Sequence, residues 1–158
     1  MKSATIAELR KALLYKSKED LYTYCLALAR FKQESKELLT YLVFESENES
    51  AYVQSVKAYM DTEFKTINTT SYYYMKKSVR KILRQVKRNI RYSKRPETEA
   101  DLLIYFCNRM AKLRPNYKGS RILLNMYASQ LRLAKKAINK LHEDLQYDFN
   151  LEIDKLNN

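Results

Sequence analysis

Apolar residues recur every three or four positions along most of the chain, with polar residues between them. This spacing is typical of amphipathic α-helices, in which one side faces a protein core. The first such run predicts a helix over residues 4–14. Its predicted inner face consists of Ile6, Leu9, Leu13 and Leu14.

A second helix is predicted to begin after Ser17. This serine is a suitable N-cap, and Asp20 lies three residues later, where a capping-box partner is expected. The helix is expected to end at Arg30 or Phe31. Its predicted inner face includes Leu21, Cys25, Leu28 and Ala29.

Residues 38–44, LLTYLVF, form the densest apolar run in the first half of the chain. Periodicity alone also permits a strand here. The polar residues on both sides, and the lack of a second strand candidate, favour a short core helix that is buried on most sides.

The chain from residue 45 onward contains four further helical patterns. Asn48 or Ser50 is expected to cap a helix over residues 50–66, and Thr70 or Ser71 a long helix over residues 72–95. Pro96 suits the first position of the next helix, and Ser120 is expected to cap a final long one. The predicted inward residues are Val53, Val56, either Tyr59 or Met60, Phe64, Met75, Val79, Ile82, Leu83, Val86, Ile90, Leu102, Leu103, Phe106, Met110, Leu123, Met126, Tyr127, Leu131, Ala134, Ile138 and Leu141.

Composition supports a fold without sheets. One Gly and two Pro among 158 residues leave few residues for tight hairpins, while helix interiors avoid both types. We therefore predict an all-α fold of six to eight antiparallel helices, in an irregular bundle or a short α-solenoid-like right-handed stack. The length fits a single domain over residues 1–158, with residues 143–158 as an acidic C-terminal helix or docked tail.

Cysteine usage and the N-terminal sequence indicate the compartment. Cys25 and Cys107 lie in apolar surroundings and are expected to be reduced and buried. The N-terminus lacks the apolar segment of a signal peptide, and no run approaches a membrane span. We therefore expect a cytoplasmic protein that does not bind a membrane.

Positive charge is concentrated in one region. Residues 1–70 are neutral overall, residues 71–95 carry ten bases and no acid, and residues 143–158 carry a net charge of −4. On a helical wheel the bases of residues 72–95 fill a sector of about 140° beside the apolar one. Eight of them, here called the basic ridge, are the candidate anion-binding residues: Lys76, Lys77, Arg80, Lys81, Arg84, Lys87, Arg88 and Arg91.

The basic ridge differs from an ordinary solvated helix face, which mixes signs. Five pairs of bases lie four residues apart, and at about 0.2–0.5 kcal/mol each they destabilise the helix by about 1–2.5 kcal/mol. A bound polyanion would relieve this repulsion. So would acidic segments of the same chain, either residues 143–154 or residues 45–49.

Other residues extend the positive surface. No acid occurs from residue 102 to 142, and a final long helix packed beside the basic one would form a shared positive face with it. Tyr73, Tyr92 and Tyr117 lie near bases and are candidates for stacking on single-stranded nucleic acid. Most of the fourteen tyrosines are expected to pack in the core, among them Tyr52, Tyr59, Tyr105 and Tyr127.

No set of residues predicts catalysis or a cofactor. The sequence has no P-loop, dinucleotide-binding or CxxC motif. His142 is the only histidine, and we interpret it as a helix-end or salt-linked residue rather than a metal ligand. We therefore predict no enzymatic activity, no catalytic residues, no metal and no cofactor.

Two functional hypotheses remain open. The first is a non-catalytic α-helical binding module whose basic ridge engages a polyanion, with nucleic-acid backbone as the preferred partner. The second is a protein–protein adaptor or assembly subunit, whose basic ridge is compensated by acidic segments of its own chain or of an acidic partner surface. The sequence also leaves room for a homo-oligomer.

Overall fold

The computed structural model describes residues 1–157, and Asn158, the last residue of the predicted acidic tail, lies outside them. Within the described part of the chain there are eight α-helices and no strand, which confirms the all-α prediction. The helices are α1 (Ile6–Leu13), α2 (Lys18–Phe31), α3 (Gln33–Thr40), α4 (Glu49–Lys65), α5 (Tyr72–Ser93), α6 (Pro96–Ala111), α7 (Arg121–Ile138) and α8 (Glu143–Asn157). The antiparallel order and the right-handed stacking stay predictions.

The chain divides into two compact units, Met1–Phe44 and the remainder from Glu45 onward. The first contains α1, α2 and α3, and the second contains α4 to α8. None of the described helices combines the length and the apolar composition that crossing a membrane requires. The single-domain organisation stays a prediction.

Local capping determines where the helices of the first unit begin. Thr5 and Glu8 form a capping box at the start of α1, and Ser17 and Asp20 form the expected one at the start of α2. α2 ends at Phe31, one of the two positions predicted, and packs against α3. The extended residue Lys32 separates these two helices.

The predicted inner face of α1 is wrong, and that of α2 is wrong at Cys25 and Leu28, whereas Leu21 and Ala29 are half-buried. No residue within the described ranges of α1, α2 and α3 is buried, and Ile6, Leu9, Leu13 and Leu14 are all exposed. Cys25 and Leu28 are exposed as well. Periodicity identifies the apolar side of a helix, but burial also requires a second element to cover that side.

The run LLTYLVF is also less buried than predicted. α3 ends at Thr40, and residues Tyr41–Glu45 continue as a π-helical turn. Tyr41 is buried, whereas Leu42, Val43 and Phe44 are exposed. The run is helical as expected, but its C-terminal half does not belong to a core.

The second unit is built around α6. α4, α5, α7 and α8 all pack against this helix, and α4 also packs against α5. The buried side chains of the second unit include most of the predicted inward positions. Fully buried are Met60, Met75, Val79, Ile82, Val86, Leu102, Leu103, Phe106, Cys107, Met110, Leu123 and Ile138.

The helices of the second unit begin at the predicted boundary residues, although not every predicted cap forms its hydrogen bond. Asn48 Oδ1 accepts a hydrogen bond from Ala51 N at 3.1 Å, and Pro96 occupies the first turn of α6. Ser120 occupies the N-cap position of α7, but its side chain makes no capping hydrogen bond.

Candidate functional site

The helix that carries the basic ridge, α5, is capped at both ends. Ser71 Oγ accepts a hydrogen bond from Tyr74 N at 3.5 Å, and Lys94 ends α5 in the left-handed conformation with φ 59°. Between these caps, the predicted apolar stripe is buried: Met75, Val79, Ile82, Leu83 and Val86. α5 packs against α4 and α6, and docking of this stripe determines which way the bases point.

The basic ridge lies along one side of α5, away from the buried stripe. Six of its residues are exposed, and Lys76 and Arg88 are half-buried. With a rise of about 1.5 Å per residue, the ridge from Lys76 to Arg91 is about 22 Å long.

Few acids approach these bases. Lys81 Nζ forms an ion pair with Glu63 Oε2 at 3.2 Å. Arg88 donates a hydrogen bond to Gln85 Oε1 and takes part in a further interaction. Six ridge residues have no acid within ion-pairing distance in the described part of the chain: Lys76, Lys77, Arg80, Arg84, Lys87 and Arg91.

The acidic C-terminal helix does not neutralise the ridge. Over residues 1–157, no ion pair joins the acids of α8 to α5, and the contact made by Asp144 is with His142, at 3.4 Å. α8 packs against α6 and α7, where Phe149, Ile153 and Leu156 join their shared core. Its five acids are all exposed.

The acidic segment 45–49 acts at the junction between α5 and α6. Glu49 accepts hydrogen bonds from Ser93 Oγ and Thr98 Oγ1, and its other oxygen lies 3.6 Å from Arg95 Nε. Glu45 and Glu47 make no ion pair within the described residues. Glu49 therefore links the start of α4 to the α5–α6 connection, beyond the C-terminal end of the ridge.

The expected shared positive face with α7 is not formed by direct pairing of the two helices. α7 packs chiefly against α6 and the neighbouring 3₁₀ turn, Tyr117–Gly119, rather than along α5. Its bases Arg132, Lys135 and Lys136 are exposed on a separate helix face.

Three tyrosines were predicted to stack on the nucleobases of a single strand, and only one of them is accessible. Tyr73 is 67% exposed, and its ring contacts that of Tyr74 edge-to-face, with centroids 5.3 Å apart. Tyr92 and Tyr117 are buried, and Tyr117 stacks on Tyr127 at 4.6 Å. The prediction for these two is wrong because their rings pack in the core. Tyr74, 48% exposed at the N-terminal end of α5, is a further accessible ring.

Cys107 is a buried thiol. Burial raises the pKa of the Cys107 thiol to about 12, so the reactive thiolate is disfavoured at neutral pH. Burial likewise raises the pKa of Tyr127 to about 12. Cys107 Sγ lies 3.8 Å from Tyr127 O, the geometry of a weak S–H hydrogen bond.

A polar network between α4 and α6 escaped sequence analysis. Asp61 Oδ1 accepts a hydrogen bond from Tyr105 Oη at 2.7 Å and lies 3.1 Å from Arg109 Nε, an ion pair whose N–H is not aimed for a hydrogen bond. Lys57 Nζ lies 2.7 Å from Asp101. Burial and then the bond to Asp61 raise the pKa of Tyr105. The signal was the spacing of Asp101, Tyr105 and Arg109 at four-residue intervals, and these groups join two helices rather than form an open site.

His142 lies just before α8, close to Asp144, which agrees with its interpretation as a helix-end or salt-linked residue. No three His, Cys, Asp or Glu side chains converge to hold a metal ion anywhere in residues 1–157. The basic ridge is the candidate site, and it is defined by its charge, its exposure and the docked helix that carries it. Comparison of the chain with protein-family models, with curated proteins and with solved structures finds no match.

Proposed function

We propose that this chain is a non-catalytic α-helical binding module whose basic ridge binds a polyanion, and that the polyanion is nucleic-acid backbone. One observation carries the proposal. Six ridge bases, spread over about 22 Å of one helix, have no acid within ion-pairing distance among the described residues.

Physical chemistry gives the reason for this choice of partner. The Lys and Arg side chains of the ridge repel one another at four-residue spacing, and bound phosphates remove that repulsion. A nucleic-acid strand presents one phosphate per about 3.4 Å of duplex axis, so a 22 Å ridge spans about six of them. Contacts of this kind are weakly sequence-specific, because phosphates carry no base identity.

The exposed rings at the start of α5 suggest a preference for single strands. Tyr73 and Tyr74 are accessible beside the N-terminal end of the ridge. Unpaired bases stack on such rings with about 1–3 kcal/mol each, whereas paired bases are held inside a duplex. Single-stranded DNA or RNA should therefore bind more tightly than duplex of equal length.

Fluorescence anisotropy with labelled oligonucleotides tests the proposal. For about six phosphate contacts, affinity should fall by about 10³ between about 50 and 200 mM salt. If neither single-stranded nor duplex probes bind at about 50 mM salt, the proposal is wrong.

The adaptor hypothesis has separate support. Lys81 forms an ion pair with a carboxylate, which is the contact that an acidic partner surface would make. The first unit also exposes many apolar side chains, including Leu28 and Phe31. An adaptor should purify with a protein-like 260/280 nm absorbance ratio, even at low salt. A nucleic-acid-binding module should carry nucleic acid through low-salt purification and lose it in high salt.

A further inference from the structure

The α2–α3 pair of the first unit forms an open groove of about 560 Å³. The two helices pack against each other, and the extended residue Lys32 turns the chain between them. The groove has an apolar floor and a basic rim without any acid among its lining residues. The floor is Leu26, Ala29 and Leu39, and the rim includes Arg30, Lys32 and Lys36.

The outward face of α8 has the complementary pattern. Its inward residues, such as Phe149 and Ile153, pack in the core of the second unit. On the opposite side, Tyr147 and Leu151 are 67% and 44% exposed and lie one helical turn apart. At 100° per residue, Glu143 and Asp154 flank this apolar pair on one side, and Asp144 and Asp148 on the other.

We propose that the α2–α3 groove of one copy of this chain binds the outward face of α8 of a second copy. The apolar pair Tyr147 and Leu151 would lie on the groove floor, as an amphipathic helix does in a hydrophobic groove. The flanking carboxylates would then face the basic rim. Charge complementarity selects this occupant, because the groove offers three bases and no acid while α8 presents acids on both sides of its apolar pair.

This surface is distinct from the basic ridge, so the two proposals are independent. The groove residues belong to residues 26–39, whereas the ridge lies on α5. Loss of self-association should leave oligonucleotide affinity unchanged, and loss of ridge bases should leave self-association unchanged.

Sedimentation velocity of the nuclease-treated 158-residue chain measures the association. We expect the mass to rise with protein concentration below about 1 mM, the range of weak specific complexes. We also expect association to weaken between about 0.1 M and 1 M salt, where the Debye length falls from about 10 Å to about 3 Å. A chain that stays monomeric throughout this concentration range overturns the proposal.

Charge reversal tests the pairing of the two surfaces. A groove variant, Arg30→Glu with Lys36→Glu, and a helix variant, Asp148→Lys with Asp154→Lys, should each raise the dissociation constant at least tenfold. Lys11→Glu with Lys16→Glu is the matched control, because it makes the same charge change in the first unit outside the groove lining. Circular dichroism should show that every variant keeps its helix content.

Mixing the two variants is the decisive measurement. The helix variant supplies an intact groove and the groove variant an intact α8, so the mixture should associate more strongly than either variant alone. A mixture that stays monomeric, or a groove variant that associates like the unaltered chain, overturns the proposal.

Discussion

Lys81 Nζ on α5 lies 3.2 Å from Glu63 Oε2 on α4, so one base of the ridge is held by a carboxylate of a neighbouring helix. The lysine is 72% exposed, and exposed ion pairs of this kind contribute about 0–1 kcal/mol. Glu63 therefore adds little to the stability of the fold, and its main effect is to neutralise one base of the ridge.

Substitution of Glu63 by Gln should strengthen polyanion binding. It frees Lys81 and removes a negative charge beside the ridge, so we expect about 1.5–5-fold higher affinity for single-stranded oligonucleotide, the equivalent of about 0.2–1 kcal/mol. The slope of log affinity against log salt should steepen by about 0.7. Glu47→Gln is the control, since it removes an exposed acid that has no ion pair within the described residues. Equal affinities for the two variants would contradict a restraining role of Glu63.

Removal of three ridge bases should abolish most of the binding. For Arg80→Gln, Arg84→Gln and Arg91→Gln together, the salt slope for single strands should fall by about 2, and affinity near 0.1 M salt should fall at least tenfold. Phosphates interact strongly with Lys and Arg side chains at the contact surface. Solvent ions screen their interaction with Lys and Arg side chains that lie more than a Debye length away.

The matched control carries three substitutions on α7, Arg132→Gln, Lys135→Gln and Lys136→Gln. These bases are also exposed, and the change in net charge is identical. The control should keep nearly the affinity of the unaltered chain. If both triple variants lose affinity equally, binding follows net charge and the ridge is not the site.

A feature of the fold or the candidate site could be predicted from the sequence when the residues that determine it lie within one helix. The buried stripe of α5 followed from its own periodicity, and its start followed from Ser71 as a cap. Burial of Tyr117 depends on a partner ring, Tyr127, in a different helix, so the neighbouring Lys118 gave a misleading signal. Likewise, periodicity predicted a buried apolar side for α1, but it could not show that Ile6 and Leu14 stay exposed.

The two cysteines should differ in reactivity and in their effect on stability. At pH 8, a disulfide reagent should modify exposed Cys25 quickly and buried Cys107 only after unfolding. The pKa of Cys107 is raised to about 12 in the folded chain, so above pH 9 the unfolded thiol ionises while the folded thiol stays protonated, and folding becomes less favourable.

The sign of the pH dependence follows from this shift. Because the folded pKa lies above the unfolded value of 9.0, stability is fully present below pH 9 and is lost as pH rises toward 12. Between pH 9 and about 11 the thiol should remove about 2–3 kcal/mol from the free energy of unfolding. Cys107→Ala lacks this titration, so urea denaturation should show a shallower decline for it over the same range. Parallel declines would contradict the assignment.

The start of α5 is joined to the 3₁₀ turn before α7 by one side chain. Tyr72 Oη donates a hydrogen bond to Asn116 O at 2.8 Å, and a Cβ atom placed on Gly119 would lie 2.0 Å from that hydroxyl oxygen. Gly119→Ala should therefore displace the Tyr72 ring and break the hydrogen bond, which costs about 0.5–1.5 kcal/mol. The same substitution restricts the unfolded chain and returns about 0.4–1 kcal/mol. We expect a small net loss.

The Tyr72→Ala background should change the sign of this effect. Without the ring there is no collision and no hydrogen bond to lose, so Gly119→Ala should be neutral or stabilise the chain by up to about 1 kcal/mol. Urea denaturation of the unaltered chain, both single variants and the double variant gives the coupling energy, expected at about 0.5–1.5 kcal/mol. Lys118→Ala, at the exposed neighbouring position, should show no coupling to Tyr72. Additive effects of Gly119→Ala and Tyr72→Ala would show that Gly119 is not required by the approach of this ring.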